Sequence, residues 1–213
     1  TKHQLQLSYN HFVEEEKDWL DDFALFMVLR EQHGNQPWIK WPAPLRDRKP
    51  EALQSIRAEL ADKLDFQRFC QFLFSQQWQS LKQFSAEHGV LLFGDMPIYV
   101  SHDSADVWAH RQLFTLDRQG RARQVAGVPP DYFSKTGQRW GNPLYHWNVM
   151  KKDSFHWWNR RMQTQLKLFD LIRIDHFRGL VAYWAIAADE ETAVNGHWVK
   201  APGAAMLTTL HEM

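Results

Sequence analysis

One cysteine, Cys70, occurs in 213 residues, so no internal disulfide can staple this fold. It sits in Phe69-Cys70-Gln71-Phe72, within a stretch of helical periodicity, and reads as a small buried hydrophobe. A reducing, cytoplasmic setting fits. Net charge is also missing: 25 basic residues balance 25 acidic ones. Nucleic acid and anionic membranes both demand a basic surface, so neither is an expected partner. No apolar run is long enough to cross a bilayer, and no secretory leader pattern opens the sequence. Glycine-rich phosphate loops and the Gly-x-Ser-x-Gly nucleophile elbow are absent. So are His-x-x-x-His and Cys-x-x-Cys pairs, which leaves Asp95, His102, Asp103, Asp175 and His176 as scattered donors for any metal. No cofactor is expected.

Aromatics are what the chain has in excess, with eleven tryptophans and fourteen phenylalanines. Most belong in a core, but exposed indole faces are also what sugar rings stack on. The length suits one sizeable domain or two small ones. The sequence starts at Thr1 without methionine and stops at Met213, inside a helix that opens after Pro202-Gly203. The expectation is a piece of a longer protein.

Helical spacing of apolar residues predicts helices over 9–30, stopped by Gly34, over 50–60, opened by Pro50, and over 66–88. The third carries a stripe of Phe66, Phe69, Cys70, Leu73, Phe74, Trp78, Leu81 and Phe84, expected in the core. A further helix over 154–168 takes Asp153 as its N-cap and turns Phe155, Trp158, Met162 and Leu166 inward. Two of these helices lead into short, continuously apolar stretches, 90–94 and 171–174, that read as buried strands. Each strand is followed by an aspartate, Asp95 and Asp175. Helices alternating with such strands imply an α/β fold with a parallel sheet, either a barrel or a doubly wound sheet. In both, ligands gather at the C-terminal strand ends, where Asp95 and Asp175 are expected.

Asp170-Leu171-Ile172-Arg173-Ile174-Asp175-His176-Phe177-Arg178-Gly179 is the most informative stretch. Strand side chains alternate, so Arg173 and Asp175 share a face about 7 Å apart. A cation held there favours an ionised carboxylate. A plain structural ion pair would look the same. A second carboxylate at the same rim tips the reading toward function. Between the strands runs a connection far longer than the usual βα loop. It holds a hairpin signal, 113–117 and 121–125 around Arg118-Gln119-Gly120. Beyond lies an irregular stretch, 127–145, rich in glycine, proline and aromatics. The role of the Asn195-Gly196 turn is not readable from pattern, and 181–186 reads as a helical turn or a strand.

Paired carboxylates, an arginine and aromatic platforms suit glycosidic bond cleavage, whose transition state is an oxocarbenium ion. Five segments then carry a resemblance, in order: Gly94-Asp95-Met96-Pro97-Ile98-Tyr99-Val100, 103–108, 126–145, 173–179 and 195–203. They resemble glycoside hydrolase family 77, the 4-α-glucanotransferases or amylomaltases, across nearly the whole chain. The resemblance implies a (β/α)8 (TIM) barrel, incomplete here, with 1–213 its central segment and 96–152 a long inserted loop over the substrate. It implies transfer of α-1,4-glucan segments to glucose or to another glucan, with retention. Asp175 matches the nucleophile and Arg173 the arginine that orients it. Asp95 and His176 match sugar-contacting groups, Tyr132 and Phe133 the aromatic loop tip, and Trp140 a cleft tryptophan. The partners implied are a maltodextrin donor, a glucose acceptor and the rest of the enzyme. The family's acid/base glutamate motif and its third catalytic aspartate do not occur in the sequence, so this chain alone is expected to be inactive. An α-amylase-type hydrolase shares Arg-x-Asp but normally ends its first motif differently. A glucan-binding module would use the aromatics alone.

Overall fold

A computed structural model of the chain describes residues 2–212. They form two compact units, residues 2–84 with 103–109, and residues 85–102 with 110–212.

The first unit is helical. α1 (Lys2–Gln32) starts well ahead of the expected residue 9 and runs 31 residues. It stops where Gly34 and Asn35 both turn left-handed, at φ 62° and 59°. Asn35 N–H closes the end on the Arg30 carbonyl at 2.8 Å. α2 (Ala43–Arg46), α3 (Pro50–Glu59), α4 (Ala61–Glu87) and α5 (Ala105–Ala109) follow. Their core gathers Phe26, Trp38, Trp41 and Trp108. The buried Trp108 indole donates to the Leu45 carbonyl (3.1 Å), and Arg48 lies 4.2 Å over its ring while pairing with Asp22. Asp103 accepts the Trp38 N–H (3.1 Å) and pairs with Arg30 (3.3 Å), a structural use of one of the scattered donors.

α4 corrects the expected core. Leu64 and Phe72 are its buried apolar residues, with Phe72 set against Tyr9 and Phe12 of α1. Phe66, Leu73, Phe74, Leu81 and Phe84 are exposed. The helix is apolar on more than one face, and the aromatic contacts of α1 fall on Phe69 and Phe72. Periodicity reports that a face is apolar, not which neighbour reaches it.

The second unit contains, in chain order, β1 (Phe93–Pro97), β2 (Gln124–Val128), β3 (Gln138–Pro143), α6 (Trp147–Lys152), α7 (His156–Leu168), β4 (Leu171–Asp175), β5 (Ala182–Ala187), β6 (His197–Lys200) and α8 (Gly203–His211). β1 and β4 pair in parallel, from Phe93 opposite Leu171 to Pro97 opposite Asp175. Asp170 brackets their start: its carboxylate accepts Leu92 N–H (2.8 Å) and its own N–H donates to the Leu92 carbonyl (2.9 Å). β1 begins three residues later than the apolar run, so Asp95 lies mid-strand and not after the strand's end. The pair is not buried on both sides either, since Phe93 and Leu171 are exposed.

The helix expected over 154–168 is α7, which opens at His156, and a short helix, α6, precedes it in the stretch read as loop. α6 and α7 are separated by Ser154 and Phe155, both left-handed at φ 55°. Asp153 therefore ends α6, Phe155 stands at the cap position of α7, and the Asp153 contact to His156 N–H is a long 3.4 Å. Phe155 and Trp158 are buried as expected, whereas Leu166 is exposed.

A second, antiparallel sheet has the order β3-β2-β5-β6. It turns part of the supposedly irregular 127–145 stretch into a strand pair and resolves 181–186 as strand. The expected hairpin reduces to a tight turn, with Asp117 N–H donating to the Arg121 carbonyl (2.8 Å) and one bridge between Leu116 and Ala122. Gly127 sits where the β2–β3 register shifts. A Cβ there would stand 2.2 Å from the Gln138 carbonyl oxygen, so the close strand approach requires glycine. The architecture is thus mixed α/β, with one parallel and one antiparallel sheet. No helix among the described residues is long and apolar enough to cross a membrane.

Candidate active site

The β1–β4 register places Arg173 directly opposite Asp95. Alternation places Arg173 and Asp175 on one face of β4. The guanidinium joins all three: Nη1 donates to Asp95 Oδ2 at 2.8 Å and Nη2 to Asp175 Oδ1 at 2.7 Å. One cation thus spaces two carboxylates, each left with lone pairs free for other donors. All three side chains are open to solvent.

His176 follows with left-handed backbone, φ 52°, and its carbonyl accepts the Gly179 N–H at 2.8 Å. Its Nε2 is buried without a hydrogen-bond partner among the described residues. Burial holds the imidazole below its ordinary range and Arg178 adds to that, while Asp175 acts in the opposite direction. Burial therefore favours the neutral ring. Trp140, on β3, meets it edge-on, with ring centroids 4.9 Å apart. Arg178 itself stacks 4.1 Å over Trp198.

Tyr132 and Phe133 stand at the tip of the β2–β3 connection, 96% and 92% exposed. Asp131 shapes the tip by accepting the N–H groups of Phe133 (2.9 Å) and Ser134 (2.8 Å). At that exposure neither ring packs on the carboxylates. The structure brings together Asp95, Arg173, Asp175, His176 and Trp140, and leaves Tyr132 and Phe133 in solvent. Of the scattered metal donors, His102 lies within hydrogen-bond distance of the Gly120 carbonyl, at 2.7 Å.

Sequence reasoning passed over Tyr99. It is buried and stacks on Tyr145 (5.5 Å), and its hydroxyl lacks a partner among the described residues. Burial raises its phenol above the ordinary value. Trp140 is 6.5 Å from the same ring. The only signal was its place inside the first aspartate segment.

Fold and site together define a mixed α/β protein whose parallel strand pair carries an Asp–Arg–Asp cluster beside an aromatic loop. A family model described as 4-alpha-glucanotransferase matches residues 1–213, and the chain belongs to that family, glycoside hydrolase family 77. It is 52% identical over 202 residues to the 4-alpha-glucanotransferase of Thermus thermophilus, covering 95% of this chain and 40% of that protein. For the Aquifex aeolicus relative of the same name the figures are 48% over 199 residues, 93% and 41%. The chain thus spans about two fifths of the length of these relatives. A solved amylomaltase from Streptococcus agalactiae in complex with acarbose superposes with TM-score 0.94 at 41% identity, over 98% of this chain and 42% of that one. The amylomaltase of Corynebacterium glutamicum, at 18% identity and TM-score 0.77, shares the fold.

Proposed function

We propose that the polypeptide carrying this chain is a retaining 4-α-glucanotransferase acting on α-1,4-glucans. The observation that carries the reading is Arg173 donating at once to Asp95 and Asp175. A nucleophilic carboxylate must be correctly turned toward its target, and a two-pronged guanidinium holds Asp175 in one orientation. In the first step Asp175 attacks the anomeric carbon, the bond to the leaving glucan breaks, and a general acid protonates the departing oxygen. In the second, the 4-hydroxyl of a glucan or glucose attacks the glycosyl ester. Its proton returns to the same base and Asp175 leaves as carboxylate. Asp95 and His176 bind sugar hydroxyls. Trp140 supplies a face to the ring, and Tyr132 and Phe133 fold over the bound glucan and exclude water.

In the same reading, 1–213 is the central segment of a (β/α)8 barrel and 96–152 its long inserted loop. Supporting it are the parallel β1–β4 pair, with α7 leading into β4, and the exposed apolar residues Phe93 and Leu171, which share the face of Asp95, Arg173 and Asp175 that a closed barrel would enclose. Each strand of this two-stranded sheet has one unpaired edge, which a closed barrel would pair. The acid/base glutamate motif is not within these residues, so the isolated chain has negligible transferase activity. A cytoplasmic location, with maltodextrin and glucose as ligands, completes the proposal.

The test is Asp175→Asn in the full-length polypeptide, assayed with maltotriose. Turnover should fall by roughly 10⁴-fold or more while glucan binding persists, on the scale of losing a catalytic nucleophile. Unchanged turnover would refute the assignment. Products that are hydrolytic only would favour an amylase-type hydrolase.

A further inference from the structure

Arg161, on α7, reaches the point where β1 ends. It donates to the Pro97 carbonyl (2.5 Å), the Ile98 carbonyl (3.2 Å) and the Tyr145 hydroxyl oxygen (3.3 Å). Tyr145 in turn donates to the same Ile98 carbonyl at 2.6 Å. Two residues on, Asn142 of β3 donates to the Val100 carbonyl at 2.9 Å. Pro97 is the last residue paired to β4, so beyond it the ladder no longer fixes the backbone. Side chains take over that task. The guanidinium is itself held over two indoles, Trp157 at 5.5 Å and Trp158 at 5.2 Å.

The segment so held, 97–100, borders the sugar-facing residues. A Cβ on Gly179 would lie 2.7 Å from Ile98 Cδ1 and 3.1 Å from His176 Cδ2, so Ile98 and His176 close on the same glycine. Tyr99 stacks on Tyr145 and approaches Trp140. The backbone that Arg161 anchors is thus the support on which His176 and Trp140 rest.

We propose that Arg161 is a positioning residue for glucan transfer. By fixing 97–100 it sets the placement of His176 and Trp140, and with it the share of glycosyl-enzyme that meets a sugar hydroxyl before water. The inference rests on the glucanotransferase reading. The ester of Asp175 has two fates: attack by an acceptor 4-hydroxyl gives a new glycosidic bond, attack by water gives a free reducing end, and either returns the carboxylate and one proton. Transfer conserves the number of reducing ends and hydrolysis adds one. Their ratio is a property of active molecules alone, so misfolding, which lowers both rates together, does not move it.

The experiment measures this ratio on maltotriose in the full-length polypeptide for Arg161→Met, Arg161→Lys and Tyr145→Phe. Methionine keeps an apolar stem but donates nothing. Its ratio should fall about tenfold or more, given that ångström-scale misplacement costs up to ~100-fold. Lysine keeps the charge but not the fork, and should recover part of the loss. Tyr145→Phe removes one donor and should fall least. If the methionine variant does not fold, the lysine and phenylalanine variants decide. A wild-type ratio in every folded variant would overturn the proposal and leave the glucanotransferase reading intact. No transfer by the wild-type polypeptide would remove that reading and this inference with it.

Discussion

Trp140 meets His176 at a right angle, its ring centroid 4.9 Å from the imidazole, and so joins the antiparallel sheet to the residue that follows Asp175. Edge-to-face pairs of this kind are worth about 0.5–1.5 kcal/mol beyond the area they bury. Their larger effect here is electrostatic. The indole excludes water from an imidazole whose burial already disfavours its charged form. Trp140→Leu should let water in and move the His176 titration upward, toward the ordinary value. Imidazole C–H chemical shifts followed against pH would show it, and an unmoved midpoint would mean that other neighbours desolvate the ring.

The same group shapes stability against pH. His176 binds a proton less readily in the folded chain than in the unfolded one, whose ordinary value is 6.5. Above 6.5 both states hold it neutral and nothing is lost. As pH falls through 6.5, the unfolded chain takes up a proton that the folded chain resists, and stability drops until the lower, folded value is passed. Urea midpoints measured at about pH 7.5 and about pH 5.5 should therefore differ more for the wild type than for His176→Gln. Equal differences would place the acid sensitivity elsewhere.

Arg173 separates a functional cluster from a stabilising one by magnitude. Its side chain is 56% exposed, with Asp95 at 58% and Asp175 at 54%. Ion pairs that open are worth about 0–1 kcal/mol each. Arg173→Met should accordingly cost little in the thermal midpoint of the full-length polypeptide, while turnover falls by about 100-fold or more, the usual scale for losing an electrostatic donor at the reacting group. A large loss of stability with small loss of turnover would reverse the assignment.

The site was more legible than its surroundings. Leu171-Ile172-Arg173-Ile174-Asp175 announces itself because β-branched residues flank charges that a buried strand would not otherwise carry. Asp95 was found but misplaced along its strand: Val90-Leu91-Leu92 is as apolar as any strand, and only pairing with β4 decides that the ladder opens at Phe93. The antiparallel sheet escaped because β3 reads Gln-Arg-Trp-Gly-Asn-Pro, with no alternation and two strand breakers. α6 escaped because it lies within the long connection, and the start of α7 was set too early because left-handed Ser154 and Phe155 carry no glycine to signal a turn there. Arg161 was invisible for a different reason. Its partners are mostly backbone carbonyls more than sixty residues away, and these leave no trace in local pattern.

Gly94 offers a test of how tightly the two parallel strands are set. It is buried in β1, one residue before Asp95, and a Cβ there would lie 2.4 Å from Cδ2 and 2.6 Å from Cγ of Phe169. Phe169 caps α7 and precedes β4, so its ring is a rigid obstacle and not a flexible chain end. Gly94→Ala must push ring or strand aside, at a cost of about 1–3 kcal/mol for overpacking. Phe169→Ala alone should also destabilise, by opening a cavity. Combined, the two changes should cost less than their sum, because the small residue removes the clash that the larger one creates. Urea unfolding of the four proteins would give the coupling. Strict additivity would show that Phe169 swings clear on its own, and that Gly94 is not what sets the spacing of Asp95 from Arg173.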